Sequence, residues 1–132
     1  MERDEIVRKI KGLNLDSNQL WVTSSAALVL HGVKSNARDL DLGCSVLLWD
    51  ELILKGYKYK KFEDGTYAID IKSDIEIIKE YYVDEIVKIE GINVGSLESI
   101  KKQKQELGRE KDLKDIKLID EYINKKQNEQ VF

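Results

Sequence analysis

The chain has 132 residues, and its 22 Lys and Arg against 25 Asp and Glu give a formal net charge of −3. This length favours one domain with its own apolar core. The sequence has no long apolar run and begins with a charged, amphipathic stretch, so we expect neither a transmembrane helix nor a signal peptide. Cys44 is the single cysteine, which excludes an internal disulfide. We therefore expect a cytoplasmic protein of one domain, 1–132, without membrane association and with little general affinity for nucleic acid.

Apolar residues at helical spacing, separated by charged residues, mark the predicted helices. Ser45 and Ser96 are placed to cap the starts of two helices, and Gly32 and Gly108 to end two. The last helix is predicted to bury an apolar stripe made of Leu113, Ile116, Ile119 and Ile123. The tail after it, 127–132, is expected to fray. The predicted helices span residues 3–13, 26–31, 46–54, 83–87, 97–107 and 111–126.

Short apolar runs between turn residues predict the strands. Asp64-Gly65 is typical of a hairpin turn. Lys72-Ser73 fits either a tight turn or the interior of a longer strand, and the sequence leaves both open. The predicted strands span residues 20–22, 39–42, 57–62, 66–71, 74–78 and 92–94. This order of elements predicts an α+β (α/β) fold, a small mixed β-sheet with helices packed against it.

Two acidic residues alternate with leucines in Asp39-Leu40-Asp41-Leu42. Side chains alternate along a strand, so both carboxylates are expected on one face and both leucines on the core face. Neighbouring carboxylates repel each other, and a cation is their natural partner. Ligands that are all oxygen suit Mg²⁺ or Mn²⁺.

A turn of small hydroxyl residues, Thr23-Ser24-Ser25, lies upstream between a short strand and a buried helix. Free backbone N–H groups and the helix dipole at such a helix start favour a bound phosphate. The Ser24 and Ser25 hydroxyls are expected to add hydrogen bonds. Together with the acidic strand, this turn predicts a site for a phosphorylated ligand and a divalent cation.

These motifs resemble the nucleotidyltransferase superfamily, and above all its minimal members. The resemblance rests on the serine turn and its helix through His31-Gly32, on Ala37-Arg38-Asp39-Leu40-Asp41-Leu42, and on a downstream segment from Ser96 to Asp115. It covers roughly residues 20–118 and implies one nucleotidyltransferase-like domain over 1–132. One departure stands out, because Ser24 occupies the position of the family's first glycine.

The resemblance implies transfer of a nucleoside monophosphate from an NTP such as ATP to a hydroxyl acceptor, with Mg²⁺ or Mn²⁺ as cofactor. Asp39 and Asp41 correspond to the shared metal ligands. A third carboxylate, which also serves as base toward the acceptor, is expected from a neighbouring strand. Glu76 in Ile75-Glu76-Ile77-Ile78 fits that position best; Asp74 ranks second and Asp70 third.

The resemblance also implies the residues that contact the nucleotide. Ser24 and Ser25 fall at the phosphate turn. In the downstream segment, Lys104 corresponds to a phosphate contact. Arg109 and Lys111 are expected to reach the site or to support it through the nearby acids Asp112 and Asp115.

Several acceptors and one alternative function stay open at this stage. The acceptor is either a small molecule, such as an aminoglycoside-like or lincosamide-like compound, or a macromolecule. Some minimal relatives are toxins or antitoxins of two-component systems, so a partner protein or a second copy of the chain is also expected as a candidate to complete the cleft. The alternative is a degenerate fold that binds a nucleotide or a partner protein without turnover. A purely structural interaction module is a weaker third interpretation.

Overall fold

The computed structural model of the chain describes residues 1–130. The helices are α1 (Arg3–Gly12), α2 (Ser24–His31), α3 (Val46–Leu54), α4 (Leu97–Leu107) and α5 (Glu110–Gln130), with a 3-10 turn at Ser17–Gln19. The strands are β1 (Leu20–Val22), β2 (Leu40–Cys44), β3 (Tyr59–Lys61), β4 (Tyr67–Lys72), β5 (Ile75–Lys79), β6 (Ile86–Ile89) and β7 (Ile92–Gly95). No helix within these residues is long and apolar enough to cross a membrane.

The strands form one mixed sheet in the order β3-β4-β5-β2-β1-β7-β6. β2 pairs with β5, and β1 with β7, in parallel, while the remaining pairs are antiparallel. This mixed sheet with its helices confirms the predicted α+β fold. The two parallel pairs flank β1 and β2, so the short acidic strand lies in the middle of the sheet.

One continuous apolar core holds the helices to the sheet. α2 is buried from Ala26 to Leu30, and it packs on the core face of the central strands. That face presents Leu40 and Leu42 from β2, in register with Ile75 and Ile77 from β5. Fully buried residues from four further elements complete the core, among them Ile6, Leu52, Ile100 and Ile119. Because this face is buried, the opposite, polar face of β2 and β5 is the one that can contact a ligand.

The predicted caps are confirmed in α3 and α4. The Ser45 hydroxyl accepts a hydrogen bond from the backbone N–H of Leu48, and the Ser96 hydroxyl accepts one from Ser99, both at 3.1 Å. Gly32 and Gly108 end α2 and α4 in the left-handed conformation, with φ of 87° and 61°. Local sequence therefore sets these helix boundaries.

Three expectations about secondary structure are wrong. Residues 83–87 form no helix; β6 begins at Ile86 and pairs with β7 through a tight turn at Glu90-Gly91, where φ is 52° and 79°. The Glu90-Gly91 turn was the missed signal, because two successive residues in the left-handed conformation join antiparallel strands.

The tail does not fray at residue 127, since α5 continues to Gln130 without a glycine or proline to stop it. Residues 131 and 132 lie outside the described part.

At the start of α5, the inward face of the helix differs from the predicted one. Leu113 is 59% exposed, whereas Asp112 is fully buried and Asp115 is 8% exposed. Two members of the predicted stripe are confirmed, since Ile119 is fully buried and Ile123 packs against the core. The first turns of α5 therefore bury acids, because cations from neighbouring elements neutralise them.

Lys104 of α4 is the centre of this buried charge network, with only 5% of the residue exposed. Its ammonium lies 3.0 Å from a carboxylate oxygen of Asp115 and 3.7 Å from one of Asp112. Arg109 binds Asp112 through its guanidinium at 2.6 Å and its backbone N–H at 3.1 Å. Lys34 adds a contact of 3.2 Å to Asp115. The network joins α4 to α5 across the turn at Gly108.

We predict that Lys104→Met destabilises the fold by about 3 kcal/mol, because it leaves buried carboxylates without their central cation. Lys101→Met is the matched control on the same helix. Its pair with Asp120, at 2.6 Å, is 30% and 47% exposed, so its loss is expected to cost about 0–1 kcal/mol. Urea unfolding of both variants measures the difference, and equal free energies of unfolding would contradict the prediction.

A second prediction concerns Ser24, which has φ of 59° at the start of α2. The left-handed region costs a residue with a Cβ about 1–2 kcal/mol, so Ser24→Gly is expected to stabilise the fold by about 1 kcal/mol. Ser25→Gly, one residue further into the helix, is expected to destabilise it by about 0.5–1 kcal/mol. Thermal unfolding compares the two variants; a Ser24→Gly protein less stable than the native chain would refute the strain argument.

Candidate active site

Three carboxylates lie in a row across neighbouring strands on the polar face of the sheet. Asp41 of β2 is the register partner of Glu76 in β5, and Glu76 is the register partner of Asp70 in β4. Asp39 immediately precedes β2. These four acids line one open cleft of about 660 Å³. The structure thus brings Asp39, Asp41 and Glu76 to the same place.

Asp74 takes a different position from the one that a continuous strand over residues 69–78 would give it. Ser73 and Asp74 lie in the tight turn between β4 and β5, so the turn interpretation of Lys72-Ser73 is confirmed. The Asp74 carboxylate is bound by the ammonium of Lys9 in α1. This hydrogen bond lowers the pKa of Asp74. Asp74 therefore ties α1 to the rim of the cleft.

The surroundings of Asp41 oppose the ionisation of its carboxylate. Burial raises its pKa, and the negative charges of Glu76 and Asp39 raise it further. The positive charges of Lys111 and Lys104 act in the opposite direction. Negative charge therefore exceeds positive charge at Asp41, and a cation would relieve the repulsion.

Glu76 already has a cationic partner in the protein. The ammonium of Lys60 in β3 lies 2.8 Å from Glu76 and 3.2 Å from Asp70. Lys60 reaches across β4, and the hydrogen bond to Glu76 is the largest cause that raises its pKa.

Across residues 1–130, no three Asp, Glu, His or Cys side chains stand in an arrangement ready to hold a metal ion.

The serine turn lies directly beside Asp41. The backbone N–H of Thr23 donates to the Asp41 carbonyl at 3.1 Å, and the Thr23 hydroxyl donates to the same oxygen at 3.3 Å. The Thr23 hydroxyl makes no capping bond to α2. The first N–H groups of α2, at Ser24 and Ser25, begin next to the acidic row. A helix start of this kind favours an anionic ligand.

The downstream basic residues divide into two groups. Lys104 and Arg109 are committed to the buried acids Asp112 and Asp115. Lys111 is exposed on α5, and its charge acts on Asp41. Lys111 is therefore close enough to Asp41 to lower its pKa, while Lys104 and Arg109 bind the acids that join α4 to α5.

Two features of the site were not singled out in the sequence. Lys60 binds Glu76, and its position opposite an acidic strand face was the available signal. Tyr81 lies near the site, since burial and the charge of Asp41 raise its pKa, while the charge of Arg109 acts in the opposite direction. Its segment, between β5 and β6, carried no recognisable pattern.

We predict that Asp41→Asn stabilises the protein at pH 7. An acid whose pKa is raised by folding costs free energy once it ionises, so the cost is present at neutral pH and disappears as the pH falls through the folded-state pKa. The gain in unfolding free energy should therefore shrink between pH 7 and pH 3. Asp70→Asn, on the exposed end of the row, is the control; a gain at pH 3 equal to that at pH 7 would contradict the account.

No protein-family model and no curated protein matches the sequence significantly. A solved structure matches the fold, the crystal structure of ANT(2")-Ia in complex with adenylyl-2"-tobramycin. The TM-score is 0.54 at 16% identity, over 94% of this chain and 88% of that chain. The similarity therefore shows that the chain has a nucleotidyltransferase-like fold, as expected from its motifs.

Proposed function

We propose that this protein transfers a nucleoside monophosphate from an NTP to a hydroxyl group of an acceptor. The observation that carries the proposal is the register of Asp41 with Glu76 on adjacent parallel strands, directly beside the start of α2. The carboxylates line one cleft, and the residue before α2, Thr23, binds the backbone carbonyl of Asp41. The fold shared with ANT(2")-Ia, which was solved with an adenylylated aminoglycoside, adds support.

Asp39, Asp41 and Glu76 are the residues that would hold Mg²⁺ or Mn²⁺. Their donors are all carboxylate oxygens, which fits these hard cations. Burial, and then the charges of Glu76 and Asp39, raise the pKa of Asp41, and such an ion would stabilise its ionised form. A bound divalent cation supplies stabilisation of the negative charge that develops around the reacting phosphorus.

The remaining roles fall to groups of the chain itself. The first N–H groups of α2, with the Ser24 and Ser25 hydroxyls, would bind the triphosphate, and Lys111 would offset its charge. In the transfer the acceptor oxygen forms a bond to the α-phosphorus while the bond to the bridging oxygen breaks, and pyrophosphate leaves. Glu76 would receive the proton of the acceptor hydroxyl. Lys104 and Arg109 would act as positioning residues through Asp112 and Asp115.

The acceptor side is the open part of the cleft, toward β4 and β5. Its opening leaves room for a small hydroxyl compound or for a side chain of a partner protein. A second copy of the chain, or a toxin–antitoxin partner, would complete its outer wall. Nucleic acid is the less favoured acceptor, since the chain carries a net charge of −3.

A second candidate function is nucleotide or partner binding without turnover. Two observations favour it: Lys60 already neutralises Glu76, and Ser24 holds a backbone conformation suited to glycine. In this case the cleft would bind a nucleotide through α2 and Lys111, and Glu76 would have no catalytic part.

We predict that the chain binds an NTP in the presence of Mg²⁺, and that Asp39→Asn/Asp41→Asn weakens this binding at least about tenfold. The reason is that both carboxylates would hold the cation, which would supply positive charge for the phosphates. Calorimetry with ATP, GTP, CTP and UTP measures it, with Asp64→Asn on the exposed β3–β4 turn as control.

The outcomes separate the two candidates. Mg²⁺-dependent binding that is lost in the double variant, with pyrophosphate release in the presence of an acceptor, supports the enzyme. NTP binding that requires neither Mg²⁺ nor the two aspartates favours the second candidate. A folded native chain that binds none of the four nucleotides would refute the proposed function.

A further inference from the structure

An exposed aromatic ring stands beside the acidic row, on the side of β1. Trp21 of β1 is the register partner of Gly43 in β2, so its indole lies on the same face of the sheet as Asp41. The ring of Tyr82 stacks on this indole, with centroids 5.8 Å apart and an interplanar angle of 26°. Trp21 is 7% exposed and Tyr82 is 56% exposed. Tyr82 is therefore the outer layer of a two-ring stack, and it faces solvent.

Hydrogen bonds hold the Trp21 indole and the backbone that carries Tyr82. The Trp21 indole N–H donates to the Tyr81 carbonyl at 2.7 Å, and the Gln103 amide of α4 donates to the Tyr82 carbonyl at 2.9 Å. Gly43 allows this close approach: a Cβ there would lie 2.0 Å from the indole nitrogen and 2.5 Å from the Tyr81 carbonyl. These contacts hold the Trp21 indole and the backbone of Tyr82, and stacking on the indole orients the Tyr82 ring, which lowers the entropic cost of binding to it.

The position of the stack matches one end of the proposed nucleotide site. β1 carries Trp21, and the same strand leads directly into the serine turn at Ser24 and Ser25. The preceding residue, Tyr81, lies near Asp41, because burial and the charge of Asp41 raise the pKa of Tyr81. Lys60 and Glu76 lie on the opposite side of Asp41, toward β5 and β3. A nucleotide whose phosphates bind at the start of α2 would have this aromatic stack beside it, on the same face of the sheet as Asp41.

We propose that Tyr82, supported by Trp21, is the platform on which the base of the bound nucleotide stacks. The inference rests on the proposed function and adds the residue that recognises the base. Stacking uses the π-face that every base has, so the site accepts all four bases. Purines offer a larger face than pyrimidines, and ATP and GTP therefore bind more tightly than CTP and UTP.

The experiment compares ATP with inorganic tripolyphosphate, which has the phosphates and no base, by calorimetry with Mg²⁺. Tyr82→Ala is expected to weaken ATP about 5- to 150-fold, the range typical for loss of one stacked base, and to leave tripolyphosphate unchanged. Tyr82→Phe keeps the aromatic face and should retain ATP affinity. Tyr82→Leu covers Trp21 without an aromatic face, so it should lose ATP affinity as Tyr82→Ala does. Tyr57→Ala, at another exposed tyrosine, should change neither affinity.

The outcomes test base stacking on Tyr82 separately from the proposed nucleotide site. If the native chain binds both ligands and Tyr82→Ala leaves ATP affinity unchanged, or weakens both ligands equally, the platform is refuted while the nucleotide site stands. If the native chain binds neither ligand, the proposed function fails and the platform fails with it.

Discussion

The parallel pairing of β2 with β5 is the constraint on which the site depends. Leu40 and Leu42 bury their side chains in register with Ile75 and Ile77, and the alternation of a strand then places Asp41 beside Glu76 on the other face. A slip of one residue would bury the acids and expose the leucines. The core therefore holds together two carboxylates that repel each other, and burial of the apolar face offsets that repulsion.

Cations from separate parts of the chain balance this excess of negative charge unevenly. Lys60 of the edge strand β3 satisfies Glu76 and Asp70, and Lys9 of α1 satisfies Asp74. Asp41, in the middle of the sheet, is left with a raised pKa despite the charges of Lys111 and Lys104. A carboxylate with a raised pKa thus lies next to the start of α2, where a phosphate and a cation would be bound together.

The buried network around Lys104 connects this site to the fold's stability. α5 carries two buried acids, Asp112 and Asp115, where a core helix would carry apolar residues, and Lys104 of α4 neutralises them together with Arg109 and Lys34. A buried ion network of this kind fixes one arrangement of its helices, because a partner left alone is costly. It sets the start of α5, and with it the position of Lys111 relative to Asp41.

The sequence by itself determined the elements whose signals are local: the serine caps of α3 and α4, the glycines after α2 and α4, and the alternation that puts Asp39 and Asp41 on a polar face. It misjudged β6 and the inward face of α5, because strand pairing and buried ion pairs depend on residues far apart in the chain. Only the tertiary structure decided where Asp74 and Glu76 lie, since the β4–β5 turn brings Asp74 to Lys9 and strand pairing puts Glu76 beside Asp41. It alone revealed Lys60 on Glu76 and Tyr82 on Trp21, because contacts across a sheet leave no periodic trace in one sequence.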